Sequence, residues 1–271
     1  MRTRGLLLGY LVLLVLVFVW IFPLAWMIAN SVRPNEEIIA GSLSDFTFTL
    51  EHYQSVLFGR QFDRCALNSL IVSVSTTIIT VSVSILCAYS MARFNTGGQP
   101  FALTILMTRS VPPAVRIIPF FISFSILGLT NTLLGLVIAN LSFNLSLAIW
   151  LLQGFIHQIP RDIEEAACID GCSDIQVLWR IVLPLSRSGV ATASILTFIY
   201  TWNEFLMAMV LGNSVDTRTL PVAANLFVTG YEINWGPLFA ASTMILAPVI
   251  LLTLVVQQHI VSGLTMGAVK G

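Results

Sequence analysis

Residues 163–185 read IEEAACIDGCSDIQVLWRIVLPL. The chain is 56% hydrophobic and 10% charged, yet five of its 13 acids (Asp162, Glu164, Glu165, Asp170 and Asp174) fall within residues 162–174. Pro160 stands just ahead, and carboxylates in the first turns of a following helix meet the positive end of its dipole. That helix is expected to stop at Gly171. Ser173-Asp174-Ile175-Gln176 then has the pattern of a capping box. A second short helix follows, with Leu178, Ile181 and Val182 on one face, and is expected to end before Pro184. The segment thus reads as helix, glycine turn, capped helix, proline stop. Two readings suit it: an amphipathic hairpin resting on a bilayer, or a docking element whose acids and close-approach glycine a soluble partner reads.

Outward from this stretch the chain is apolar. Mean hydropathy is +0.89, with uncharged runs longer than a soluble domain carries, so the fold class is an all-α membrane protein. Gly5 to Val32 is an uncharged run of 28 residues, too long for a signal-peptide core of about 7–15 residues, and is a retained first span. Six spans are expected, at about 6–30, 67–92, 101–127, 133–155, 188–211 and 237–258, in one domain, 1–271. The third carries Pro112, Pro113 and Pro119 and is the one broken span. The segment 160–186 lies between spans four and five, and a tail, 259–271, follows span six. An even count puts both termini on one side. Arg2, Arg4, Arg93, Arg161, Arg180, Arg187 and Lys270 then face inward, against Arg33, Arg60, Arg64 and Arg218 outward, which favours cytoplasmic termini.

A formal charge of zero gives no clustered basic face, so no nucleic-acid partner is expected. Cys65, Cys87, Cys168 and Cys172 are placed for neither a disulfide framework nor a metal set and read as small packing residues. His52, His157 and His259 fall in separate loops or at span ends, as solvated or interfacial side chains. There is neither a catalytic constellation nor a GxxxxGK[ST] loop, so no enzyme activity and no bound cofactor are expected.

Glu165-Ala166-Ala167, Asp170-Gly171 and Ile181-Val182-Leu183-Pro184-Leu185 resemble the EAA loop of binding-protein-dependent ABC importer permeases. Trp202-Asn203-Glu204-Phe205, Gly128-Leu129-Thr130-Asn131-Thr132 and the tail from Gly263 to Gly271 resemble elements of the carbohydrate branch of that family, which includes the smaller maltose-transporter permease subunit. The likeness covers nearly the whole chain and is weakest over 33–64. It implies a helix-turn-helix coupling loop and a subunit that forms half of a path for a sugar, paired with a second permease. Two ATP-binding subunits would bind ATP and Mg, and an extracytoplasmic binding protein would deliver solute at a bacterial or archaeal inner membrane. Carried over, Glu165, Ala166, Ala167, Asp170 and Gly171 would dock the ATPase subunit, and Gly267, Val269, Lys270 and Gly271 would reach between the ATPase subunits. Cys172 departs from the usual alanine, and Arg109 and Arg116 fall where the family is usually uncharged.

Charged groups inside spans usually face a cavity or partner. Asn203 and Glu204 are therefore candidate gate or pathway residues, or hydrogen-bond partners of a neighbouring span. Arg109 and Arg116, two turns apart, would share a face of an unbroken helix. Either they favour anionic or hydroxyl-bearing solute, or one pairs with Glu204 while the other snorkels to an interface. Ser69, Ser73, Thr77, Thr80 and Ser84 form one line on span two, read as packing between spans. Alternatives to a sugar permease are a permease for another solute such as glycerol phosphate, or a six-span channel or secondary transporter; the latter would be expected to show paired broken helices in internal repeats.

Overall fold

The computed structural model describes residues 2–41, 46–59 and 61–265. In chain order the helices are α1 (Arg2–Asn30), α2 (Asn35–Ala40), α3 (Glu51–Gly59), α4 (Phe62–Phe94), α5 (Gly98–Arg109), α6 (Pro113–Ile126), α7 (Leu133–His157), α8 (Arg161–Ile169) and α9 (Asp174–Val177). A π-helical stretch, Leu178–Val182, leads into α10 (Leu183–Leu185), then α11 (Arg187–Trp202), α12 (Leu206–Leu211), α13 (Leu220–Asn225) and α14 (Trp235–Thr265). Among the described residues the only β pairing is a bridge between Val228 and Ile233. Four helices, Gly9–Asn30, Phe62–Phe94, Leu133–His157 and Trp235–Leu254, are long and apolar enough to cross a membrane. Two bent pairs, at 91° and 79°, raise the number to as many as six.

The expected spans need two corrections. The fifth is not one helix, because α11 stops at Trp202 and α12 restarts at Leu206, so the third span is not alone in being broken. Span six continues as helix to Thr265, through the first part of the expected tail. The tail residues Gly267, Val269, Lys270 and Gly271 lie outside the described residues.

The chain divides into two compact units, residues 1–63 with 223–248, and residues 64–222 with 249–271. In the first, α1 exposes apolar side chains around its whole circumference, Trp20 at 78% and Phe18 at 66%, so lipid or another subunit must cover it. His52 is not solvated. It is buried, with Nε2 2.8 Å from the Arg33 carbonyl, and lies against Gly236, where a Cβ would collide with the ring.

In the second unit α7 is the central helix, burying residues from Gly135 to Ile156. Towards one end Ala148, Leu152 and Ile156 pack with Ile85 and Ala88 of α4, Ala193 of α11, and Ala167, Val177 and Val182 of the 160–186 segment. Towards the other, Leu136 and Ala139 pack with Val72, Phe124, Met207 and Leu211. Lipid is as apolar as these side chains, so close van der Waals fit holds such a bundle together. Small residues permit that fit. Gly189 of α11 lies against Phe155 of α7, where an added Cβ would sit 2.5 Å from the ring.

The small-residue line on α4 is confirmed as packing, with one correction. Ser69, Ser73, Thr76, Thr80 and Ser84 are buried, so Thr76 and not Thr77 lies on the inward face. Steps of three and then four from Ser73 stay on the face; Thr77 falls beside it and donates its hydroxyl to the Ser73 carbonyl, 2.7 Å. Ser69 accepts from Leu220 N–H at 2.8 Å.

Candidate functional site

The acidic stretch folds as a helical hairpin. Asp162 and Glu164 lie in the first turn of α8. At its C-terminus Gly171 takes φ +91°, with Gly171 N–H donating to the Cys168 carbonyl and Cys172 N–H to the Ala167 carbonyl, 3.0 and 2.9 Å. This paired closure is a Schellman motif, which glycine adopts at least cost. Gln176 then reaches back to accept from Ser173 N–H, 2.9 Å, as the capping pattern requires.

Pro184 does not end the second helix, which runs on to Leu185. The proline's missing N–H follows the π-helical stretch, where Leu183 N–H reaches the Leu178 carbonyl. A wider turn there relieves both the lost bond and the ring's clash with the preceding turn.

Of the expected docking residues, Glu165, Ala166, Asp170 and Gly171 are exposed, and Ala167 is turned inward at 8%. The outer surface also carries Ile169 at 88%, Ile175 at 69% and Trp179 at 51%. Cys168 is exposed rather than packed. An open groove of about 400 Å³ runs along α8, edged by Glu165, Cys168, Ile169 and Asp174. Acids around exposed apolar side chains form a rimmed patch of the kind that marks a protein contact.

Residues outside the motif fix this hairpin to the spans. Arg93, at the end of α4, donates from Nε to Glu164 Oε1 at 2.7 Å, and its Nη2 donates to the carbonyls of Ile156 and Ile159 at 2.8 and 3.0 Å. The two side chains are 7% and 9% exposed. One guanidinium therefore joins α4, the orphan carbonyls at the end of α7 and the hairpin. In the sequence Arg93 marks topology and Glu164 meets a helix dipole; 71 residues separate them, so periodicity carries no sign of the pairing.

The intramembrane candidates partly converge. Arg109, Asn203 and Glu204 line a cavity of about 410 Å³ with Asn140, Asn144 and Tyr200. The Arg109 guanidinium lies 5.1 Å from the Tyr200 ring centroid, a cation–π distance. Neither arginine pairs with Glu204 among the described residues. The Glu204 carboxylate instead accepts from Met207 N–H at 2.7 Å and Ala208 N–H at 2.9 Å, capping α12. Asn203 donates to the Ile199 carbonyl at 2.9 Å. Arg116 is set apart, since the 91° bend between α5 and α6 ends any shared face. It donates to the Thr108 carbonyl and lies 4.5 Å from the Phe143 centroid. Asn140 and Asn144 went unrecognised, although two amides four apart in an apolar span were a visible signal. Among the described residues no group of three or more His, Cys, Asp or Glu could hold a metal.

The Gly128–Thr132 turn has a structural task. Thr132 caps α7 by accepting from Gly135 N–H at 3.0 Å. Asn131 N–H donates to the Leu211 carbonyl at 2.6 Å, and its side chain accepts from Ser214 N–H at 3.1 Å. The turn thereby latches the end of α12.

The family of binding-protein-dependent transport system inner membrane components matches this chain over residues 80–266. The chain belongs to that family. The permease is 35% identical to the trehalose/maltose transport system permease protein MalG of Thermococcus litoralis, over 95% of this chain and 94% of that one. It is 34% identical to the trehalose transport system permease protein SugB of Mycobacterium tuberculosis, over 93% of each. Among solved structures, a bacterial ABC transporter involved in the import of the acidic polysaccharide alginate shares the fold, with a TM-score of 0.74 at 24% identity over 95% of this chain and 96% of that one.

Proposed function

We propose that this permease forms half of the translocation path of an ATP-driven sugar importer. It has six spans and cytoplasmic termini, and it pairs with a second permease. ATP and Mg bind to two partner ATPase subunits, and an extracytoplasmic binding protein delivers the solute. Relatives named for trehalose, maltose and diacetylchitobiose transport support a sugar as cargo. Support for a delivering protein comes from a solved alginate transporter in complex with a pentasaccharide-bound periplasmic protein.

The observation that carries the reading is the α8 hairpin, exposed on its outer surface and fixed at its base by the Arg93–Glu164 pair. Such an element transmits displacement as a lever, since its anchor is stiff and its outer residues are free to dock. Gly171→Leu puts a branched side chain at φ +91°, costing roughly 1–2 kcal/mol in the turn. It is expected to leave membrane insertion intact and to abolish co-purification with the ATPase subunit. Assembly and transport at the parental level would refute docking through this turn.

In the cavity, three amides and Tyr200 suit sugar hydroxyls and a sugar face. Arg109 supports a second reading, a solute bearing a carboxylate or phosphate, because Glu204 is engaged by backbone amides and does not neutralise it. Arg109→Gln is expected to lower uptake about tenfold, the loss of one charge-assisted hydrogen bond. Arg116→Gln, outside the cavity lining, is expected to keep the parental KM. Equal effects of the two would remove Arg109 from the path.

A further inference from the structure

A second polar cavity, of about 300 Å³, opens where the end of α4, the start of α5, the end of α7 and the start of α8 meet. Asn95, Gln153, His157 and Arg161 line it, all side chains that can donate hydrogen bonds, and no acidic residue does. Among the described residues, Arg161 makes no ion pair; it donates to the Ala92 carbonyl at 3.4 Å. The side chains of Asn95, Gln153 and His157 have no hydrogen-bond partner among the described residues. The start of α5 at Gly98 brings the positive end of a helix to the cavity wall, its first N–H held by the Asn95 carbonyl at 3.0 Å. Arg161 also edges the groove with Glu164, Glu165 and Asp174, but Arg93 already compensates Glu164.

The cavity sits at span ends, where lipid headgroups lie. Met91, Ala92 and Ala102 give it an apolar side. A guanidinium beside apolar side chains at span ends suits a group with a charged phosphate and hydrocarbon chains, and basic pockets between spans on the cytoplasmic side take anionic headgroups. A guanidinium with neutral hydrogen-bonding side chains beside it matches the oxygens of a phosphodiester. We propose that this cavity binds the anionic phosphate of a membrane phospholipid in the leaflet that faces the ATPase subunits. The proposal rests on the reading of the α8 hairpin as the cytoplasmic coupling element. Because Arg161 is the first residue of α8, an occupied site ties lipid composition to the base of the lever.

The test is native mass spectrometry of the full chain released from detergent micelles, with phosphatidylglycerol or phosphatidylcholine of identical acyl chains. Its readout is independent of transport and of ATPase binding, so it can fail while the importer reading stands. The wild-type chain is expected to retain phosphatidylglycerol about tenfold better than phosphatidylcholine, the value of one charge-assisted contact. Arg161→Gln is expected to erase that preference, Arg161→Lys to keep most of it, and Gln153→Leu with His157→Gln to reduce it. The last pair carries the test if Arg161→Gln does not fold. Equal retention of the two lipids by the wild type would overturn the proposal, as would an undiminished preference in a folded variant lacking these donors. Inorganic phosphate at millimolar concentration is expected not to displace the lipid; displacement would assign the site to a soluble phosphate and overturn the lipid source.

Discussion

Arg93 anchors the α8 hairpin, the proposed coupling element, from outside the EAA-like motif. Its guanidinium satisfies Glu164 and two carbonyls at the end of α7, so truncating either partner leaves the other charge buried without compensation. Removing one member of a buried pair costs about 3–5 kcal/mol, whereas replacing both by apolar groups is often neutral. Glu164→Ala is therefore expected to lower the thermal unfolding midpoint of the detergent-purified protein sharply, and Arg93→Met with Glu164→Leu to recover most of the loss. Coupling should behave differently. The double variant lacks the ion pair between α4 and α8 and keeps only the long Arg161 contact to the Ala92 carbonyl, so transport should stay impaired after stability returns. Recovery of both together would make the pair a stabilising contact with no part in force transmission.

Among the elements, the break between α11 and α12 shows what periodicity leaves out. Residues 188–211 are uncharged apart from Glu204 and read as one helix, since each residue in Trp202-Asn203-Glu204-Phe205 is tolerable within a helix. The break arises from a side-chain choice: Glu204 turns to accept two amide protons of α12, offering a capped restart in place of an uninterrupted ladder. Glu204→Gln keeps an acceptor, whereas Glu204→Ala leaves two amides unsatisfied at about 1–3 kcal/mol each. Thermal unfolding should therefore rank wild type above Gln above Ala; equal midpoints for all three would remove the cap from the account. The α8 hairpin was far more legible, because Gly171, Ser173 and Gln176 act within a few residues of one another and turn chemistry is local. Pro184 misled for the same reason: its usual effect was read without the π-helical stretch that accommodates it.

For the molecule as a whole, composition and run length established the membrane-spanning helical class. The long-range ties that make it a machine were not legible. Arg93 to Glu164, Asn131 to Leu211 and Ser69 to Leu220 each join segments distant in sequence by ordinary residue types. On the proposed function, α8 is the docking surface for an ATPase subunit on the cytoplasmic side. Cys168 is a native reporter of it, exposed on α8 at the edge of the groove. In a chain carrying Cys65→Ser, Cys87→Ser and Cys172→Ser, a membrane-impermeant maleimide should label Cys168 in inside-out vesicles and not in right-side-out ones. Co-assembly with the ATPase subunit should protect it. Labelling from the opposite face, or labelling undiminished in the assembled transporter, would contradict the claim.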